Sequence, residues 1–167
     1  EKPTPAFLNR LKDVFGFKPP SHHGHDAVQA TQAMIDGRAK ALICLGGNFA
    51  VAMPDHERGF PAMGNLDLSV HVGTKLNRTH LLVGKETFIF PCLGRTELDL
   101  QATGRQCITV EDSMSMVHAS SGKLKPASPL LRAEPAIVAG MAKATLPETR
   151  LDWLTLVEDY DRIRDLI

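Results

Sequence analysis

The sequence lacks the features that would tie it to a membrane, a nucleic acid or a disulfide framework. No apolar run approaches the ~20 residues that a membrane-spanning helix needs, so no span is expected. Lys and Arg number 19 and Asp and Glu 19, giving a formal net charge of zero. A dedicated nucleic-acid binder would carry a basic excess. Cysteine is scarce: Cys44, Cys92 and Cys107 are odd in number and far apart. They read as buried reduced thiols of a cytoplasmic protein rather than as disulfide partners or a closely spaced cluster site. Aromatic residues make up 5% of the chain, so the core is expected to be mainly aliphatic. The G-x-G-x-x-G fingerprint of an ordinary NAD site is missing. So are a cleavable signal pattern and an initiator Met, and the expectation is a piece of a longer chain.

What is present is an alternation of helix and strand signals. Phe7, Leu8, Leu11, Val14 and Phe15 recur at helical spacing before Pro19 and Pro20 break the pattern. Asp26 with Gln29 three residues on has the form of a capping box, and Gly37 is suited to ending the helix it opens. The run ALICLG follows directly and does not alternate, so it reads as a strand covered on both faces in a parallel sheet. LSVHV (68–72) and TFIF (87–90) read as two more strands, with a short helix possible at NRTHLLVG. From about 93 to 131 the chain turns polar and aperiodic, apart from a candidate strand at CITV, as in a long irregular excursion. EPAIVAGMAKATL and then LDWLTLVEDYDRIRDLI restore helical periodicity, the latter as one apolar stripe. The expectation is a single α/β domain over 1–167 with a mostly parallel sheet, its body at about 1–92 and 132–167.

Chemistry is sought where strands end. In open α/β sheets ligands bind beyond the carboxyl ends of the strands. The first strand ends in Gly46, Gly47, Asn48 and Phe49. Glycine allows a ligand to approach the backbone, and the Asn48 amide can donate and accept. A simple tight turn explains the same residues equally well. The second strand ends among Thr74, Lys75, Asn77, Arg78 and Thr79, donors and cations suited to phosphate. A solvated surface loop is the alternative for that segment alone. Two such loops after successive strands would face one crevice.

The series KALICLGGNFAVAMPD, SVHVGTKLNRTHLLVGKETFIFPCLGRTELD, VEDSMSMVHASSGKLKP, AEPAIVAGMA and DYDRIRDLI resembles the central part of the molybdopterin oxidoreductases. The likeness runs from about Phe7 to Ile167 and is nearest to the formate-dehydrogenase-like alpha subunits, including a branch associated with acid resistance. It implies a Rossmann-like, three-layer domain that holds one molybdopterin guanine dinucleotide. In the parent enzyme that cofactor carries molybdenum or tungsten, and a 4Fe-4S cluster lies in another part of the chain. It further implies that Gly46–Phe49 lie against the nucleotide and that Thr74, Lys75, Asn77, Arg78 and Thr79 face pyrophosphate or ribose. Glu111, Asp112 and Ser113 would meet guanine or pterin edges. The expected partners are the remaining domains of the parent chain and a small-molecule substrate, with no nucleic acid and no membrane. On this view the fragment is inert alone and contains no catalytic residue or metal ligand. A rival is a non-catalytic nucleotide-binding or assembly module resembling the central domain of thiamine-diphosphate enzymes.

Other constellations carry less. His22, His23 and His25 sit in an extended Pro-rich loop without a fourth ligand. His71, His80 and His118 read as histidines satisfied by local hydrogen bonds. A triad from Ser113 or Ser115, His118 and Asp112 lacks the elbow that would expose a nucleophile.

Overall fold

The computed structural model describes residues 3–167, which form two compact units. One is Gly24–Cys92; the other joins the residues up to His23 with Leu93–Ile167.

The first unit holds the sheet and realises the α/β expectation. Helix α2 (Ala27–Ile35) opens with the capping box between Asp26 and Gln29 and closes at Asp36 and the left-handed Gly37. Strands β1 (Ala41–Leu45), β2 (Leu68–Gly73) and β3 (Glu86–Pro91) lie parallel in the order β1-β2-β3. Between β1 and β2 run two helices that the sequence pattern does not announce, α3 (Phe49–Ala52) and α4 (His56–Gly64). Pro54, Gly59 and Pro61 mask them, because Gly and Pro in a helical segment read as breakers. Asp55 adopts a left-handed conformation and caps α4 by accepting from the Arg58 N–H. A 3₁₀ turn at Arg78–Leu81 links β2 to β3.

The register separates the sheet's two faces. Ile43, Val70 and Phe88 share one row and Leu45, Val72 and Phe90 the next, while Leu42 and Ser69, then Cys44 and His71, stand on the other face. That second face receives the core: Met34, Ala50, Met53, Ala62, Met63 and Leu66 pack together with Leu42, Phe49 and Phe60 against them. The first face is open at its outer strands, while Val70 and Val72 of the central strand are buried. Ile43 is 60% exposed and Phe88 52%, which corrects the expectation that both faces of β1 are covered. The strand lacks alternation because its outward residues Ile43 and Leu45 are apolar although exposed.

In the second unit, α1 (Pro5–Phe15) is capped by Thr4 and ends at the left-handed Gly16. Segment 93–131 stays largely without regular structure but contains two short antiparallel hairpins. They are β4 (Leu100–Gln101) with β5 (Gly104–Arg105) and β6 (Ile108–Glu111) with β7 (Val117–Ser120). The candidate strand at CITV is β6. Glu97 holds the loop around it, accepting from the N–H groups of Gly94 and Ala127, both at 2.6 Å. Helix α5 (Glu134–Thr145) carries Pro135 in its first turn. The terminal stripe is not one helix: α6 (Trp153–Glu158) and α7 (Asp161–Arg164) are separated by an extended Asp159. The break follows Tyr160, whose N–H donates to Gln106 Oε1 at 2.9 Å and whose hydroxyl donates to Asp99. Burial first, and then that carboxylate, push the Tyr160 hydroxyl far above its ordinary pKa, so it stays a donor.

Candidate functional site

The ends of β1 and β2 are built into one structure. The ladder runs one residue past β1, where the Gly46 N–H donates to Val72 O at 2.8 Å. Gly46 and Gly47 then both take left-handed conformations, with φ of 65° and 70°, and swing the chain into α3. Two consecutive residues of this kind cost most side-chain-bearing residues roughly 1–2 kcal/mol each, Asn and Asp less, so the turn itself favours glycine.

The loop after β2 is tied to that turn. Asn77 Nδ2 donates to Gly47 O at 2.8 Å, and Asn77 Oδ1 accepts from the Thr79 N–H at 2.9 Å. The Thr79 hydroxyl donates to Asn48 Oδ1 and accepts from the Ala50 N–H, both at 3.0 Å. Ala50 N belongs to the first turn of α3, which leaves such donors without partners inside the helix. Asn48, the residue at the cap, makes no capping bond of its own. Thr79 therefore caps α3 from the neighbouring loop.

Between these loops lies a cavity of about 150 Å³, at the carboxyl ends of the parallel strands. Of the residues singled out in the sequence, Gly46, Gly47, Thr74, Lys75, Asn77 and Thr79 line it. Asn48 stands behind Thr79. Phe49 packs against the core. Arg78 opens the 3₁₀ turn and is exposed. Glu111, Asp112 and Ser113 belong to the other unit, at the tip of the β6–β7 hairpin. There Asp112 accepts from the N–H groups of Met114 and Met116 and lies 2.7 Å from His118 Nε2. His118, then those backbone donors, hold the Asp112 carboxyl below its ordinary pKa. The pair closes a turn around Ser115, which itself has a left-handed φ of 60°.

Sequence reasoning passed over the cavity's floor. His71 and Cys44 are register partners on β2 and β1 and both line the cavity, as does His80. His71 is 1% exposed, and among the described residues neither of its ring nitrogens has a hydrogen-bond partner. This corrects the expectation of a locally satisfied histidine at position 71. His80 does fulfil it: its Nδ1 accepts from the Asn77 N–H at 3.0 Å. The two imidazoles lie with ring centroids 5.0 Å apart, tilted by 42°. Burial, and secondarily His80, hold the His71 pKa below its ordinary value, so the ring is a neutral donor and acceptor. Burial pushes the Cys44 thiol up, which keeps it protonated. A polar residue inside a buried strand, one step before its carboxyl end, was the signal available in the sequence.

An open parallel sheet with a polar cavity beyond its carboxyl edge places this unit among the α/β folds that bind ligands there. Comparison with known proteins then gives relatives. The chain is 56% identical over 165 residues to Protein YdeP of Escherichia coli (strain K12), which is 99% of this chain and 22% of that protein. It is 44% identical over 168 residues to the uncharacterized oxidoreductase Rv2900c of Mycobacterium tuberculosis, 100% of this chain and 22% of that protein. It is thus related to proteins named as oxidoreductases and spans 22% of their length. No known family profile matches the chain, and no solved structure does. Among the described residues, no helix is long and apolar enough to cross a membrane. Nor is any group of three or more His, Cys, Asp or Glu among them placed to hold a metal ion.

Proposed function

We propose that this chain is a cofactor-holding part of an oxidoreductase, and that the cofactor is a molybdopterin guanine dinucleotide. The observation that carries the reading is the cavity where the Gly46–Gly47 turn meets the Thr74–Thr79 loop, with Lys75 at its wall and an unpartnered His71 within it. Relatedness to proteins named oxidoreductases supports the redox assignment. The resemblance of GGNFA, TKLNR, PCLGRTE and VEDSMS to the formate-dehydrogenase-like subunits supports the cofactor.

The residues fit such a group. At about 150 Å³ the cavity accepts one ring or one phosphoryl group, since a cavity of that order holds a benzene-sized guest. A dinucleotide would leave most of its length outside it, along the open mouth. When bound, the molybdenum or tungsten centre supplies the two-electron redox step. The protein's part is position and electrostatics. Lys75 offsets phosphate charge, the bare backbone at Gly46 and Gly47 lets the ligand come close, and Asn77 and Thr79 keep the two loops at a fixed spacing. Substrate, remaining domains and a 4Fe-4S cluster belong to the rest of the parent chain in this reading.

The test is Gly47→Asn in the parent protein. Asn tolerates the left-handed conformation, and a Cβ at Gly47 meets nothing within 4 Å. The fold should therefore survive while the new amide obstructs the mouth. Bound pterin dinucleotide, released and quantified, is expected to fall several-fold; content equal to that of the wild type would sink the assignment.

A further inference from the structure

The reading above leaves His71 without a stated partner, and the balance of hydrogen-bonding capacity in the cavity supplies one. Most acceptors near its wall are already engaged: Gly47 O by Asn77, Asn77 Oδ1 by Thr79, and Asn48 Oδ1 by the Thr79 hydroxyl. The donors are not. Lys75 has three N–H groups, Thr74 a hydroxyl, and a neutral His71 carries a proton on one of two unpartnered nitrogens. His80 Nδ1 lies 3.0 Å from the Asn77 backbone nitrogen and 3.2 Å from Asn77 Oδ1. A buried polar group without a partner is costly, and a ring 1% exposed cannot recover that cost from bulk water. With the Lys75 ammonium and the Thr74 hydroxyl lining the same cavity, the uncommitted groups around His71 suit a guest rich in acceptors.

We propose that His71 is the specificity-determining residue of this cavity, donating a hydrogen bond to a phosphoryl oxygen of the bound nucleotide, with Lys75 neutralising the same group. The proposal rests on the cofactor-holding reading and sharpens it: the buried end of the ligand is a phosphate, and the base lies outside. His80 is a positioning residue. Its ring lies tilted against His71 and is itself fixed by the Asn77 N–H, so the His71 ring is held before the ligand arrives. Cys44 on the adjacent strand fills the floor as a protonated thiol.

The experiment follows the His71 ring ¹⁵N signals of the parent protein, freed of cofactor and labelled at histidine, during titration with pyrophosphate, guanosine diphosphate and guanosine. Pyrophosphate and the diphosphate are expected to move the His71 signals, and guanosine to leave them in place. His71→Phe keeps an aromatic ring against His80 but removes the donor. It should weaken pyrophosphate binding roughly tenfold, the effect of one hydrogen bond to a charged group. His71→Gln, which retains a donor, should weaken it less. Should the Phe variant fail to give the wild-type thermal melt, the wild-type titration and the Gln variant carry the test. Guanosine moving His71 as far as the diphosphate does would overturn the proposal, and so would absence of pyrophosphate binding. Pyrophosphate binding with unmoved His71 signals would also overturn it while leaving the dinucleotide reading to the Gly47→Asn result.

Discussion

Thr79→Val is the sharpest probe of how the site is held. The substitution keeps side-chain shape and removes one hydroxyl, which at present serves two loops at once. Its loss frees Asn48 Oδ1, on a half-buried residue that water can reach, and strands the N–H of Ala50, a residue 0% exposed. The first loss is small. The second carries the desolvation penalty of an unpaired buried donor, about 1–3 kcal/mol, at a helix start with no other cap. Together they should cost roughly 1–3 kcal/mol, set by the second loss. Thr79→Ser keeps both hydrogen bonds and gives up one buried methyl, about 1 kcal/mol. Denaturant unfolding of the two variants gives the totals, and native-state hydrogen exchange at the Ala50 amide locates the effect. Exchange there should accelerate in the Val variant far more than at amides of β2, and the Ser variant should resemble the wild type. If Val costs no more than Ser, Thr79 does not cap α3 and the loops are not joined through it.

Two further outcomes follow from geometry outside the cavity. Gly84→Ala places a Cβ 2.6 Å from Leu66 O and 3.0 Å from Ser69 Oγ. Both are pinned, Leu66 O by the Lys85 N–H and Ser69 Oγ by the Gly84 N–H. The overpacking should therefore cost about 1–3 kcal/mol, read from the denaturant midpoint, and an unchanged midpoint would refute it. Glu97 sets a pH dependence. Its carboxyl is held below the ordinary value of 4.5 by the Gly94 N–H first and the Ala127 N–H second. A lowered folded pKa means that its contribution is complete above 4.5 and is lost as pH falls through the folded value. The stability difference between wild type and Glu97→Gln should accordingly be largest near neutrality and shrink on acidification. A difference that is flat across that window would remove Glu97 as the clasp of this loop.

How far the sequence reached depended on whether the deciding interaction was local. The capping box of Asp26 and Gln29, the stop at Gly37 and the three strands rest on residues within a turn or two of each other, and they appear where the pattern places them. The break between α6 and α7 is decided by Asp99 and Gln106, more than fifty positions from Tyr160, and no periodicity in LDWLTLVEDYDRIRDLI reports them. The candidate site divides along the same line. Loop glycines, Lys75 and Asn77 were legible because turn chemistry and charge show in composition. The roles of Asn48, Asn77 and Thr79 were not, because they are spent on one another: the amides and hydroxyl that look ready for a phosphate are the bonds that set the distance between the loops. His71 is the inverse case. Its place inside an apolar strand reads as structural, yet among the described residues both of its buried ring nitrogens are left without a partner. A polar residue in such a site is therefore better judged by what remains unengaged after the fold has formed than by its side chain's chemistry alone. By that measure the proposed ligand would be met mainly by His71, Lys75 and bare backbone, with Asn77 and Thr79 as the frame.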